Sequence, residues 1–230
     1  MLPDCRYAML IGSLPPQPMD LFGCRLPVIS RIQLDRRLAL LAEKDAADLQ
    51  RIEGLLHWSK MQGGDDADIF EHGRRELGLI RSDFLRDIVA WRLELRTLLS
   101  ALRRRQAGLQ PAPGQPFCGF GARLPLIRHN WHKPDFGLGH ALPWISQAQQ
   151  LMAQHQPLAL DKLLLQLNWH YYARLNLGHY FDFPAVVLYV LRWDLIHRWA
   201  TYDGELAVAR FDELVEAGLA AVQAELEGTA

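Results

Sequence analysis

The chain has 230 residues, 50% hydrophobic and 22% charged, with a mean hydropathy of -0.07; this is enough apolar material to bury a core and excludes a disordered or fibrous chain. Lys and Arg number 25 against 26 Asp and Glu, so a net charge of -1 supplies no global field for nonspecific nucleic-acid binding. The three cysteines, Cys5, Cys24 and Cys118, are odd in number and far apart, which fits reduced thiols in a cytoplasm and predicts no disulfide.

Pro15, Pro16, Pro18 and Pro27, with Gly12 and Gly23, break the first 30 residues into pieces too short for a long helix and predict a folded arm. The apolar run Tyr7 to Ile11 follows Asp4 and leads into Pro15-Pro16, so no secretion signal is expected. From Ser30, the residues Ile32, Leu34, Leu38, Leu41, Leu49, Ile52 and Leu56 recur at mostly helical spacings, interrupted by the polar stretch Glu43 to Asp48. Two helices joined near Lys44 are the simplest account. The stretch Met61 to Asp68, with Gly63-Gly64 and three aspartates, has the composition of a solvated loop.

The clearest element follows. Ser82 stands as an N-cap before Phe84, Ile88, Trp91, Leu95, Leu98 and Leu102, a stripe with alternating steps of four and three. Arg86, Asp87, Arg92, Glu94 and Arg96 occupy the other faces. Arg103, Arg104 and Arg105 sit at the end, where cations favour the helix dipole, and read as a solvated terminus rather than a nucleic-acid patch. Gly108 and Pro111 stop this helix, and the prolines and glycines of Gly108 to Pro143 predict a long irregular segment.

Beyond it, Pro157 opens a predicted helix with Leu160, Leu164, Leu167, Tyr171 and Leu175 on one face. Pro184 opens another, Val186 to Thr201, apolar over so wide an arc that it belongs in the centre of the core. Its apolar stretch Phe183 to Leu191 ends at Arg192, far short of the roughly 20 residues that cross a bilayer. Asp203 is placed to cap a last helix carrying Phe211, Leu214, Val215, Leu219, Val222 and Leu226. The expectation is an all-α fold of about seven to nine helices, with the stripe packed on one of the last three. Its spans are 1–107 (arm and helical half), 108–143 (irregular connection) and 144–230 (second helical half).

Nothing in the spacing names a reaction. Asp135-Phe136-Gly137 spells a kinase metal-binding triplet, but the glycine-rich loop and the His-Arg-Asp loop are missing, so a structural turn is the better reading. No Gly-x-x-x-x-Gly-Lys-Ser/Thr cradle or Gly-x-Ser-x-Gly elbow is present. His129 and His132 lack the further ligands a zinc site needs, and Asp194 with His197 is one acid–histidine step where a helical di-iron site uses two. No catalytic, cofactor-binding or metal-binding residue is expected. Most of Trp58, Trp91, Trp131, Trp144, Trp169, Trp193 and Trp199 should be core rings with a partnered N–H.

Three landmarks carry a family resemblance. They are Tyr7 to Pro15, an aromatic-apolar run ending in Ser-Leu-Pro; the turn Asp135-Phe136-Gly137-Leu138; and Phe183, Tyr189, Leu191, Ile196, Arg198, Trp199, Asp203 and Phe211 in order. On these the chain resembles an uncharacterised bacterial family, domain of unknown function family 2764, whose genes sit inside V/A-type ATPase operons. It departs from the pattern at His197, where an acidic residue is expected, and by lacking a glycine shortly before Phe211. The resemblance implies a noncatalytic subunit or assembly factor of a rotary ATPase. It points to the central-stalk connector between rotor shaft and membrane ring, cytoplasmic and peripheral to the inner membrane through its partners. Connector subunits are all-α but longer, with three similar lobes, and no such repeat is visible here.

Candidate interface residues are Arg198, Trp199 and Asp203, with Asp135 and Phe136 from the central turn. An Arg-Trp pair beside a capping Asp combines a flat apolar surface, a forked donor and a fixed backbone corner. The competing reading makes Trp199 a core ring and Arg198 the ion-pair partner of Asp194, four residues earlier. The alternative function is a helical enzyme, or a small-molecule or metal-binding protein, with a pocket the sequence does not reveal.

Overall fold

Polar caps and prolines set where the helices begin. The computed structural model describes residues 5–23, 27–57, 66–111 and 116–202; among them are nine helical segments and no strand, so the protein is all-α as predicted. Helix α1, Cys5–Ser13, lies in the arm. Helix α2, Arg31–Leu38, opens with a capping box: the Ser30 hydroxyl accepts from the Gln33 N–H while the Gln33 side chain accepts from the Ser30 N–H. Helix α3, Glu43–Leu56, has no side-chain cap, but Glu43 and Asp45 place negative charge on its first turn. The joint between α2 and α3 therefore precedes Lys44. The polar stretch is the start of α3, where Asp48 is buried between Arg51 (3.1 Å) and Arg81 (2.9 Å).

Helix α4, Asp66–Leu79, was not expected from the sequence, and it absorbs the last residues of the supposed loop; residues 58–65 lie outside the described part. Helix α5, Asp83–Gln106, starts at Ser82, whose hydroxyl accepts from Leu85 N–H at 3.4 Å, and stops at Gly108, where φ is +71°. The segment after it is irregular as predicted, broken only by the six-residue α6, Leu124–His129. Then come α7, Trp144–Ala153, and α8, Pro157–Leu175, with proline in its first turn. Helix α9, residues 183–202, is opened by Asp182, whose carboxylate accepts from Ala185 N–H at 3.0 Å. Asp203 and the last expected helix lie outside the described residues. No described helix is long and apolar enough to cross a membrane.

Two apolar clusters form the core, and α5 belongs to both. Leu85, Ile88, Val89 and Leu93 join α1 to α3, α8 and α9 in the larger one. Leu98, Ala101 and Leu102 join Phe117, Ile127, Phe136, Ile145 and Leu160 in the smaller one. The proline-rich segment thus folds over the end of α5 and supplies core residues. As expected, α9 is central: Val186, Val187, Leu188 and Val190 are fully buried. The stripe of α5 meets α8 where Trp91 stacks on Tyr171, ring centres 3.8 Å apart. On α8 Leu160 is buried as expected, but from there the buried face runs through Leu165, Asn168, Trp169 and Tyr172, one step round from the expected Leu164, Leu167, Tyr171 and Leu175.

The arm is fastened by side chains more than a hundred residues away. Trp169 Nε1 donates to Met19 O (3.2 Å), Trp193 Nε1 to Ile29 O (2.9 Å), Tyr189 Oη to Pro15 O (3.0 Å), and Arg192 Nη2 to Pro18 O (3.2 Å). Gln17 Nε2 in return donates to Tyr189 O at 2.7 Å. The part of the arm between α1 and α2 has no helix ladder and must satisfy its carbonyls elsewhere, and these donors do it. Trp193→Phe keeps an aromatic ring, though a smaller one, and strands the Ile29 carbonyl. We expect a loss of about 1–3 kcal/mol in urea unfolding, with circular dichroism of the folded state unchanged.

Two glycines let the segment after α5 lie against that helix. A Cβ on Gly119 would sit 2.3 Å from Thr97 Cγ2, and one on Gly121, where φ is +102°, 2.3 Å from Glu94 Cγ. Close approach brings Phe120 N–H to Thr97 Oγ1 (2.8 Å) and Arg123 N–H to Glu94 Oε1 (2.8 Å), while Arg123 Nη1 reaches Glu94 Oε2 at 2.5 Å. Gly119→Ala should cost about 1–3 kcal/mol by overpacking; Thr97→Ser in the same chain, which removes the clashing methyl but keeps the hydroxyl, should recover part of that loss in a double-mutant cycle.

Candidate functional site

Helical periodicity puts Arg92, Arg96, Leu99, Ser100 and Arg103 along one side of α5. That side faces a cleft of about 450 Å³ whose other described walls are Phe70 of α4, Cys118 and Phe120, Asp161, Leu164 and Asn168 of α8, and Arg198 of α9. Arg92 and Arg96, off the apolar stripe, are both half-buried. Arg96 Nη1 donates to Leu55 O (3.3 Å) and its Nη2 to Leu56 O, capping the carbonyl end of α3. Burial, then the neighbouring Arg92 charge, with Arg198 also opposing it, pushes the Arg96 guanidinium down to about 10. Arg92 lies over the Tyr172 ring at 6.0 Å, and its buried Nε has no hydrogen-bond partner among the described residues. Asn168 Nδ2 donates to Leu164 O at 2.5 Å, and its buried Oδ1 has no partner among the described residues either.

At the α8–α9 edge of the cleft, Arg198 pairs with Asp161 (3.3 Å), which also accepts from the Tyr202 hydroxyl. This corrects the expected pairing of Arg198 with Asp194. Asp194 is directed instead toward α2, 3.9 Å from Arg31, which is itself held by Glu53 (2.7 Å) and Asp35 (2.8 Å). Trp199 is a core ring, edge-on to Phe22 at 5.0 Å and covered by Lys162 Nζ at 5.0 Å. Of the candidate pair, then, only Arg198 offers substantial surface, its side chain 54% exposed.

The central turn is structural. Asp135 accepts from the N–H groups of Gly137 (2.9 Å) and Gly139 (3.0 Å), and the Gly137 bond above all lowers its pKa. Phe136 adopts φ +53° and is fully buried in the smaller core, which corrects its assignment to an interface. The structure does not unite these two residues with Trp199, which lies in the other cluster. In the arginine run Arg103 and Arg104 are exposed, as expected of a solvated helix end, while half-buried Arg105 donates to Trp131 O (3.3 Å) and His132 O (3.4 Å) and Arg104 lies over Phe117 at 5.6 Å. Sequence reasoning missed Arg92 and Arg96 as site residues; their four-residue step beside the apolar stripe was the available signal.

A family model described as a protein of unknown function, DUF2764, matches residues 75–218, and the chain belongs to that family. The matched span holds most of the cleft walls and the second and third landmarks; the first, Tyr7 to Pro15, precedes it. No curated protein and no solved structure matches the chain.

Burial pushes the Asp194 carboxyl up to about 6, with Glu53 reinforcing the rise and His57 and Arg31 opposing it. The unfolded chain releases this proton near pH 4, so between about pH 4 and pH 6 the folded state binds more protons. Stability from this group therefore falls as pH rises through that window and is flat above it. Asp194→Asn should be more stable than wild type by about 1–2 kcal/mol at pH 7.5, the difference vanishing toward pH 4 in paired urea titrations.

Proposed function

We propose that this chain is a noncatalytic subunit or assembly factor of a bacterial V/A-type rotary ATPase. In this reading it takes the place of the central-stalk connector between rotor shaft and membrane ring and acts through protein contacts in the cytoplasm. The resemblance in the landmarks supplies the partner, and the all-α fold agrees with what that resemblance implies. The observation that carries a contact role is the turn joining α8 to α9, where Leu177, Tyr180 and Phe181 are 79%, 68% and 54% exposed. Three large apolar side chains in one short turn are costly to leave in water unless a partner covers them.

The turn is also braced. Gly178 takes φ +96°, the His179 ring packs on Phe84 of α5 with centres 4.4 Å apart, and His179 Nδ1 lies 2.6 Å from Asp182 Oδ2. A pre-ordered apolar tip loses little entropy on docking. Size-exclusion chromatography of the purified chain with purified central-stalk and ring subunits of the same ATPase tests the proposal. Co-elution is expected, and a Tyr180→Asp, Phe181→Asp double variant should abolish it while melting at the wild-type temperature. Absence of any complex with the wild-type chain would overturn the assignment.

A further inference from the structure

We propose that the cleft on α5 is the docking site for the chain's own C-terminal segment, residues 203–230, which lie outside the described residues. The inference stands on the cleft and on the sequence of that segment and does not rest on the ATPase reading. Chain geometry is the first argument. Arg198 of α9 and Asp161 of α8 stand in the cleft wall. The described part of α9 runs one turn beyond Arg198 to Tyr202, whose hydroxyl donates to that same Asp161. The segment therefore sets out from the edge of the cleft. The exposed apolar turn before α9 lies at the other end of that helix, about 30 Å away along its axis.

Apolar pattern is the second argument. Phe211, Leu214, Val215, Leu219, Val222 and Leu226 fall on one face of the helix predicted there, and such a stripe needs an apolar surface to pack on. The cleft offers one: Phe70 of α4, Leu99 of α5 and Leu164 of α8 line it, and all three are half-buried rather than fully covered. Its volume of about 450 Å³ takes several side chains of that face. The lengths match as well. A helix from Phe211 to Leu226 spans about 24 Å, against about 17 Å of α5 from Arg92 to Arg103. Residues 203–210 remain to make the return, and extended they reach about 26 Å.

Charge segregation along the chain agrees. Seven of the 26 Asp and Glu and one of the 25 Lys and Arg fall in residues 203–230, so the last 28 residues carry a formal charge of -6 and the 202 before them +5. In the predicted helix Asp212 and Glu216 flank the stripe, while Arg103 and Arg198 stand exposed at the rim of the cleft. Ion pairs at such a rim add little stability but set orientation, so the apolar face carries the docking energy. Tethering favours this occupant over a free partner, because a segment joined at the cleft's edge meets it at an effective concentration on the order of millimolar.

Hydrogen exchange of the full-length chain, read by mass spectrometry, tests the proposal, with alkylation of Cys118, the thiol in the cleft wall, followed in the same samples. Amides of residues 214–226 are expected to exchange at least tenfold slower than in the free peptide of that sequence, at protein concentrations where the chain runs as a monomer. A Leu214→Asp, Leu219→Asp double variant should return them to the free-peptide rate and speed Cys118 alkylation severalfold. Ala217→Asp with Ala220→Asp, which adds the same charge to the opposite face, should leave both readouts near wild type. From the other side, Leu99→Asp should release the segment while residues 186–190 of α9 stay protected, showing an intact core. The proposal is overturned if residues 214–226 of the wild type exchange like the free peptide, or if their protection appears only where the chain dimerises. It is equally overturned if Cys118 labels no faster in the Leu214→Asp, Leu219→Asp variant, if the opposite-face variant releases the segment as fully, or if folded Leu99→Asp leaves its protection unchanged.

Discussion

The arm between α1 and α2 has almost no helix ladder, so its carbonyls must be satisfied by side chains, and the donors come from α8 and α9. Pro15 and Pro18 have no N–H but keep a C=O, and Tyr189 and Arg192 donate to those oxygens. Trp169 and Trp193 do the same for Met19 and Ile29. Once the arm is laid over α9, that helix has protein on nearly every side. This is why its apolar arc is so wide and why Val186 to Val190 carry no surface apart from Tyr189, whose hydroxyl reaches back to the arm. Fixing α9 also fixes Arg198 at the edge of the cleft and Trp199 in the larger core.

Helix α5 carries the other half of the architecture. Its apolar side divides between two cores, and its polar residues are spent on neighbours rather than on water: Glu94 binds Arg123, Thr97 binds the Phe120 amide, and Arg96 caps α3. Buried acids elsewhere act in the same way. Asp48 holds Arg81 at the joint between α4 and α5, and Asp45 holds both Arg81 and the Tyr7 hydroxyl of α1. Removing one partner from such a pair leaves an uncompensated charge, a larger penalty than the net strength of the intact bond.

Legibility followed the range of the interactions. Helices α5, α8 and α9 could be read because their caps, prolines and apolar periods are local. Helix α4 could not, since Gly73 and Gly78 weaken its pattern, and Gly73 is there because Phe120 Cζ would lie 2.6 Å from a Cβ. The same limit governs the site. A four-residue step on one helix suggests pairing Arg198 with Asp194, but the turn of α9 aims them at different neighbours, Asp161 of α8 and Arg31 of α2. The half-buried state of Arg92 and Arg96 depends on α3, α8 and α9 packing around α5, which no local spacing encodes. The tryptophan N–H partners were expected in kind but not in place, because Met19 and Ile29 are reached only across the whole fold.

The exposed turn and the basic cleft lie apart on shared supports: Arg198 stands 15 residues into α9 from residue 183, about 22 Å along the axis. What they share is α5, since Phe84 braces His179 of the turn, and Arg92 and Arg96 of the same helix line the cleft. The 24 residues of α5 contribute to both cores, so the position of the turn and the shape of the cleft are set by the same packed helix. A close-packed helix of this kind resists displacement, because moving it disturbs the contacts of both clusters at once.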